Sequence, residues 1–166
     1  TFFELGVRMA GLTWNRRNPY SDGAAEDGGL SRLGRSLVDR LVELGVILDL
    51  AHTSPAAFAE IVTRIDGAPV ICSHAACRSV FDHPRNLTDE QLRSLSDAGG
   101  IFGLMLHPLA IGPDARTLDR VVDHLGRVRL GHQLSGEPAG EVRVVDPPVV
   151  GVLLAPSVVL GIGVGH

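Results

Sequence analysis

The sequence contains no lysine: its 15 basic residues, among 166 residues in all, are arginines. Without lysine the chain cannot form a Schiff base, and it cannot carry the phosphate-binding lysine of a P-loop. Aromatic residues are also few, with five Phe, one Tyr and one Trp, and the net charge is −4. Because a nucleic-acid-binding surface needs clustered basic side chains and aromatic platforms, no nucleic-acid partner is expected.

Cysteine is scarce as well, with only Cys72 and Cys77 in the chain. A small secreted protein with a disulfide framework has more, so we expect both thiols to be reduced and the protein to be cytoplasmic. No apolar run reaches the length of a membrane-spanning helix, and no membrane segment is expected in this chain. The 45% of hydrophobic residues is enough to bury the core of one globular domain.

Strand-like and helix-like segments alternate along most of the chain. Three helix patterns begin at N-cap residues, Ser31, Ser54 and Thr88, and each is followed by a glycine that favours a turn. The predicted strands lie at 6–14, 46–50, 69–73 and 101–106. This alternation predicts a parallel α/β fold.

The first helix pattern has leucines at three- and four-residue spacing, which predicts an apolar face. These leucines are Leu30, Leu33, Leu37, Leu41 and Leu44. A fourth helix pattern follows at 117–128. Beyond it the sequence is rich in Gly, Pro and Val, and prolines interrupt the strand patterns, so we predict only one strand there, at 157–164.

A strand-like run followed by a histidine and small residues occurs twice, as GVILDLAHTS and as APVICSHAAC. Since side chains alternate faces along a strand, His52 is expected to share a face with Leu50, and His74 with Cys72. In parallel α/β folds the carboxyl ends of the strands carry the site, and neighbouring strands lie about 4.8 Å apart. The two imidazoles are therefore candidate ligands of one zinc ion. Alternatively, each histidine caps its strand end by hydrogen bonding.

Other residues are candidates for the same site. His107 follows the fourth strand and could be a third metal contact, although a polar strand end before Pro108 also explains it. Cys72 is expected to fill the core, and Asp49 to lie on the opposite face from His52. Three further histidines are expected to be solvated: His83, His124 and His132.

Four longer segments carry a resemblance: GVRMAGLTWNRRNPYSDG, GLSRLGRSLVDRLVELGVILDLAHTS, PVICSHAACRSVFDHPRNLTDEQL and GGIFGLML. Together they resemble the membrane (renal) dipeptidase family, especially its bacterial members. The resemblance implies a (β/α)8 TIM-type barrel, a two-zinc centre and hydrolysis of dipeptides. It implies that His52 and His74 bind one zinc ion and that Arg85 pairs with the free carboxylate of the substrate. The structural alternative for Arg85 is an ion pair with Asp82 or Asp89.

The sequence also departs from the family pattern. The family's His-x-Asp pair and its metal-bridging glutamate have no counterpart here, and Gly165 stands where a catalytic aspartate is expected. A substrate-binding histidine of the family is replaced by Trp14. We expect Trp14 and Asn15 to line the substrate pocket, with core packing as the alternative for Trp14.

The sequence therefore predicts a relative of zinc-dependent dipeptidases that is truncated at the N-terminus and divergent at the C-terminus. Residues 1–125 are predicted as the central portion of the barrel and 126–166 as a tail. The predicted metal ligands are His52 and His74, the predicted substrate-binding residues are Arg85, Trp14 and Asn15, and no catalytic residue is predicted. A complete barrel needs about 250 residues, so the expected partners besides a dipeptide are a missing N-terminal segment or a second copy of the chain. The alternative function is that of an inactive remnant that binds at most one metal ion.

Overall fold

The computed structural model describes residues 2–112, 119, 122–127, 142–145, 150–154 and 158–163. The chain divides into two compact units, Thr1–Ile71 and Cys72–His166. Strands and helices alternate along the chain as far as residue 112, as the sequence predicts. Within the described ranges, no helix combines the length and the apolar character needed to cross a membrane.

The first unit contains two helices and three strands in parallel. Its elements are β1 (Met9–Gly11), α1 (Arg32–Glu43), β2 (Ile47–Asp49), α2 (Pro55–Arg64) and the beginning of β3 (Val70–Ala75). β2 pairs with both β1 and β3, with Asp49 opposite Gly11 on one side and opposite Ile71 on the other. The fully buried core side chains include Val38, Leu48, Leu50, Phe58, Ile61 and Ile65.

The second unit continues from the end of β3. Its elements are α3 (Asp89–Asp97), β4 (Ile101–Met105), the short α4 (Pro108–Ile111), β5 (Val142–Val145), β6 (Val150–Leu154) and β7 (Val158–Gly163). Residues 122–127 are helical, within the predicted fourth helix. β4 and β7 are parallel, while β6 is antiparallel to both β7 and β5.

The predicted strand at 157–164 is confirmed as β7, whereas β5 and β6 are not predicted from the sequence. The prediction treats the prolines of this segment as breaks in any strand, but the bounds of β5, β6 and β7 contain no proline. Prolines elsewhere in a segment do not exclude strands within it.

The three predicted helix N-caps are confirmed. The side-chain oxygens of Ser31, Ser54 and Thr88 each accept a hydrogen bond from the backbone N–H of the third residue of the helix that follows. Pro55 occupies the first position of α2, where its missing N–H costs no helical hydrogen bond. In α3 the side chain of Gln91 also accepts from the Thr88 N–H, which completes a capping box.

The predicted leucine face of α1 is confirmed except at one position. Leu30 is buried and Leu37, Leu41 and Leu44 are half-buried, whereas Leu33 is 54% exposed. Gly34 and Val38 are buried on the same helix. Gly34 lies against the loop that precedes the helix: a Cβ at this position would lie 2.0 Å from the carbonyl oxygen of Tyr20. This close contact requires glycine at position 34, and leucine spacing does not reveal it.

The division between a barrel portion at 1–125 and a tail at 126–166 stays a prediction. His132 and Gly165 lie outside the described residues, as does most of the segment between the helical residues 122–127 and β5.

Candidate metal and substrate site

His52 follows β2 but does not lie on it. The strand ends at Asp49, whose carboxylate accepts a hydrogen bond from the Ala51 N–H at 3.0 Å. The chain then turns, and Thr53 Oγ1 donates to the Leu50 carbonyl at 2.7 Å. His52 has a φ of +71°, in the left-handed region that residues with a side chain rarely adopt. The expected shared strand face of His52 and Leu50 is therefore wrong, because the alternation of faces ends with the strand.

The imidazole of His52 contacts two residues that follow β1. Its ring stacks on the indole of Trp14, with 3.8 Å between the ring centroids and 22° between the planes. Its Nδ1 lies 2.8 Å from Oδ1 of Asn15. His52 is 7% exposed and Trp14 is 69% exposed, so core packing of Trp14 is wrong. The structure thus brings together three of the five predicted site residues.

The loop between β1 and α1 supports this group through its backbone. The Ala24 N–H donates to the carbonyl oxygen of His52 at 2.7 Å. Next to it, Gly23 permits a close approach: a Cβ there would lie 2.2 Å from the carbonyl oxygen of Trp14 and 2.4 Å from the carbonyl carbon of Asn15. Only glycine fits this contact without a shift of the backbone.

Asp22 anchors the same loop. Its carboxylate accepts two hydrogen bonds from the Arg17 guanidinium, at 2.6 and 2.8 Å, and one from the Gly28 N–H at 2.9 Å. The hydrogen bonds from Arg17 lower the pKa of the Asp22 carboxyl below its ordinary value, against the opposing effect of burial. The Asp22 carbonyl accepts from the Ser54 N–H at 3.2 Å, which joins the loop to the N-cap of α2.

His74 lies within β3, one residue before its end, as predicted. Its Nδ1 lies 2.7 Å from Oγ of Ser73, and the residue is half-buried. Cys72, two residues earlier in the strand, is fully buried, as expected for a core residue.

Arg85 lies beside His74 in the second unit. Its Nη2 donates a hydrogen bond to the His74 carbonyl oxygen at 3.2 Å. Its two candidate carboxylate partners form ion pairs with other arginines: Asp82 with Arg78, at 2.8 Å, and Asp89 with Arg127. The five predicted site residues therefore fall into two groups, one in each unit.

His107 is the N-cap of α4. Its Nδ1 accepts a hydrogen bond from the Leu109 N–H at 3.2 Å, and its side chain is exposed. A polar residue at the strand end before Pro108, the alternative to a metal contact, accounts for this position.

The two cysteines form no reactive thiol site. Cys72 and Cys77 are fully buried and form no disulfide, and burial raises the pKa of the Cys77 thiol to about 12. Such a thiol stays protonated and is a poor metal ligand.

The expectation that His124 is solvated is wrong: it is fully buried, and its Nδ1 accepts a hydrogen bond from the Cys77 N–H at 3.0 Å. A buried backbone N–H needs an acceptor, and here the imidazole provides it.

His83 also departs from the expectation of a solvated side chain. It is half-buried, and its Nδ1 accepts a hydrogen bond from the Arg85 N–H at 3.2 Å. Burial lowers the pKa of His83, and the positive charges of Arg85 and Arg78 lower it further.

The described residues offer two imidazoles that suit a metal ion. In His52 and in His74, Nδ1 is hydrogen-bonded to a side-chain oxygen. Nε2 is therefore the ring nitrogen through which each would bind a metal ion. Among the residues that the structure describes, no group of three or more His, Cys, Asp and Glu side chains is arranged to hold an ion. Each imidazole by itself has the chemistry of a metal ligand.

Gly23 and Asp22 are the supporting residues that sequence reasoning misses. The signal available is the Asp-Gly pair in a polar loop between a strand and a helix, which is typical of a turn. Nothing in the sequence pairs Gly23 with Trp14, because their contact depends on the path of the whole loop.

Trp14, Asn15, His52 and His74 lie at or just beyond the carboxyl ends of their strands, which is where parallel α/β proteins bind ligands. Fold and site thus define an α/β protein with imidazole donors at the ligand-binding ends of its strands. The family model of membrane dipeptidases (peptidase family M19) matches residues 1–131.

Similar sequences and structures agree with this match. Dipeptidase verJ of Clonostachys rogersoniana is 38% identical over 140 residues, 81% of this chain and 36% of that protein. Dipeptidase 3 of Mus musculus is 32% identical over 138 residues, 78% of this chain and 28% of that protein. A metallo peptidase from Rhodobacter sphaeroides, solved with a phosphinate mimic of the dipeptide L-Ala-D-Ala, has a TM-score of 0.72 and 30% identity, over 78% of this chain and 41% of that chain.

The chain belongs to the membrane dipeptidase family. It spans about a third of the length of the curated relatives it matches. The predicted resemblance and the α/β class with a partial (β/α)8 barrel are confirmed. Because the family is one of metallopeptidases, membership implies a metal cofactor.

Proposed function

We propose that this chain is the part of a zinc-dependent dipeptidase that supplies two imidazole ligands and a carboxylate-binding arginine. The observation that carries the proposal is that His52 and His74 each have Nδ1 bonded to a side-chain oxygen. Metal-binding histidines usually have this arrangement, since a bonded Nδ1 orients the ring and makes Nε2 the ligand.

Zinc is the metal we propose because it readily takes imidazole nitrogen, at about 2.0–2.1 Å. When bound, zinc supplies a Lewis acid that activates water for hydrolysis. The role of this chain is to hold the ion through His52 and His74. Since no group of three ligands occurs in the described part of the chain, further ligands have to come from outside that part.

The substrate we propose is a dipeptide. Relatives of the chain are named dipeptidases, and one similar metallo peptidase was solved with a dipeptide mimic. The planar guanidinium of Arg85 suits bidentate binding of the substrate carboxylate, and its hydrogen bond to the His74 carbonyl holds it beside a proposed metal ligand. Trp14 and Asn15 are proposed to line the substrate pocket.

Two protein partners could complete such a site: a segment that precedes β1 in the sheet, or a second copy of this chain. Among the described strands, β1 pairs only with β2, so its other edge offers unpaired backbone groups. A cytoplasmic location stays a prediction.

Zinc binding tests the proposed role of the two histidines. The wild-type chain is expected to retain at most one zinc ion after dialysis, and His52→Ala and His74→Ala are each expected to abolish retention, because one imidazole is left. The metal content is measured by atomic emission. The matched control is His107→Asn, which keeps a helix N-cap and should leave the metal content unchanged. Two tightly held ions, or a metal content unaffected by both alanine substitutions, would refute the assignment.

A further inference from the structure

His52 has contacts to its backbone, to its ring face and to its Nδ1. Its backbone has a φ of +71°, and its carbonyl oxygen accepts the hydrogen bond from Ala24. Its ring stacks on Trp14, and its Nδ1 is bonded to Asn15. A left-handed conformation is costly for a residue with a side chain, and it persists only where the surroundings impose it. Such strain is concentrated at functional sites.

The hydrogen bond between Asn15 and His52 determines which ring nitrogen of the neutral imidazole carries the proton. An amide oxygen only accepts hydrogen bonds, so Nδ1 of His52 is the donor to Oδ1 of Asn15. The neutral ring then has its lone pair on Nε2. The indole of Trp14 lies nearly parallel to this ring, at 22°, and fixes the ring plane.

We propose that Asn15 and Trp14 are positioning residues for His52: Asn15 sets the tautomer with the lone pair on Nε2, and Trp14 sets the plane in which Nε2 is presented. This inference rests on the proposed function, in which Nε2 of His52 binds zinc. It gives two residues of the proposed substrate pocket a role that acts through the metal ligand.

Gly23 also contributes to the position of the His52 ring. A Cβ at Gly23 would overlap the backbone of Trp14 and Asn15, at 2.2 and 2.4 Å, and the neighbouring Ala24 N–H binds the His52 carbonyl. In this loop Ala24 binds the backbone of His52, while the preceding residue, Gly23, lies against the backbone of Trp14 and Asn15, whose side chains contact the His52 ring. A glycine at position 23 is what allows both contacts at once.

The first test reads the tautomer directly in the metal-free chain. The 15N chemical shifts of the His52 ring, assigned by their loss in His52→Gln, are measured about two pH units above 6.5, the ordinary histidine pKa. We expect the proton on Nδ1 in the wild type and a loss of this preference in Asn15→Leu, which keeps the size of the side chain but removes the acceptor. A proton on Nε2 in the wild type, or an unchanged tautomer in Asn15→Leu, would overturn the proposal.

The second test measures zinc affinity. Loss of a hydrogen-bond partner behind a metal-binding histidine weakens metal binding about 10–100-fold, and we expect a weakening of this size in Asn15→Leu. Asn15→Asp keeps an oxygen acceptor and should restore the affinity. If zinc affinity is unchanged in His52→Gln, the metal role of His52 fails, while the tautomer measurement still decides whether Asn15 positions the ring.

The stack is tested by fluorescence, because Trp14 is the only tryptophan in the chain. We expect the emission of Trp14 to change in His52→Ala and in Gly23→Ala, and to stay the same in the control His107→Asn. Circular dichroism checks that each variant keeps its helices. An emission spectrum that is unchanged in His52→Ala would contradict the stack and with it the proposed role of Trp14.

Discussion

The purified 166-residue chain, supplied with excess zinc, is expected to hydrolyse no dipeptide at a measurable rate. Hydrolysis at zinc needs enough ligands to hold the ion, an open position for water, and a carboxylate that takes and returns a proton. The proposed ligands are two imidazoles, and the described ranges contain no group of three metal-binding side chains. Loss of proton transfer alone lowers a rate about 10²–10⁴-fold, and loss of further ligands adds to this.

The assay follows the release of free amino acids from a panel of dipeptides. It is repeated after co-expression with the N-terminal part of a full-length family member. Activity that appears on co-expression and is lost in His74→Ala supports the dipeptidase proposal, whereas an inactive combination that still binds zinc supports the inactive remnant. Activity of the chain alone, abolished by His74→Ala, would contradict the account, and Asp49 and His107 would then be the next residues to test as ligands.

Gly34→Ala is expected to lower the free energy of unfolding by about 1–3 kcal/mol. Helix propensity alone predicts the opposite sign, because alanine is favoured over glycine inside a helix by about 1 kcal/mol. The steric contact decides: the new Cβ would lie 2.0 Å from the carbonyl oxygen of Tyr20. That oxygen also accepts a hydrogen bond from the Ser31 N–H at 2.9 Å, so the loop cannot retreat without losing a bond at the start of α1.

Gly126→Ala is the matched control for this prediction. Gly126 lies in the helical segment 122–127, and a Cβ there would meet no heavy atom within 4 Å. With no steric contact, propensity decides, and the free energy of unfolding should rise by up to about 1 kcal/mol. Both values come from chemical denaturation. Equal stabilisation by the two substitutions would show that α1 does not pack on Tyr20 as described.

Local signals explain which elements the sequence predicts well. A helix N-cap depends on one side chain and the next few backbone N–H groups, so Ser31, Ser54 and Thr88 are predicted correctly. Strand and helix alternation is also local, and it predicts the α/β class. The placement of His74 within β3 follows from the same pattern.

The errors come from contacts between segments that are distant in sequence. The close approach of the loop to Gly34 is not visible in the leucine spacing, and the position of His52 is set by a turn that begins earlier than the apolar pattern suggests. His124 is buried where its Nδ1 accepts a hydrogen bond from the Cys77 N–H, a contact between residues 47 positions apart that periodicity cannot show.

Strand-end positions predict that Trp14 and Asn15 lie near His52, and the structure shows these contacts. The role of these residues in a site stays a prediction. The stacking of the rings and the choice of Nδ1 as the bonded nitrogen depend on the close approach at Gly23 and therefore on the folded loop.

The most direct test of the central claim is X-ray absorption at the zinc edge of the zinc-loaded chain. The account predicts two imidazole nitrogens, at about 2.0–2.1 Å, with oxygen completing the coordination, and one imidazole fewer in any zinc still held by His74→Ala. A sulfur ligand at about 2.3 Å, which would place Cys72 or Cys77 on the metal, or a spectrum without imidazole scattering, would contradict it.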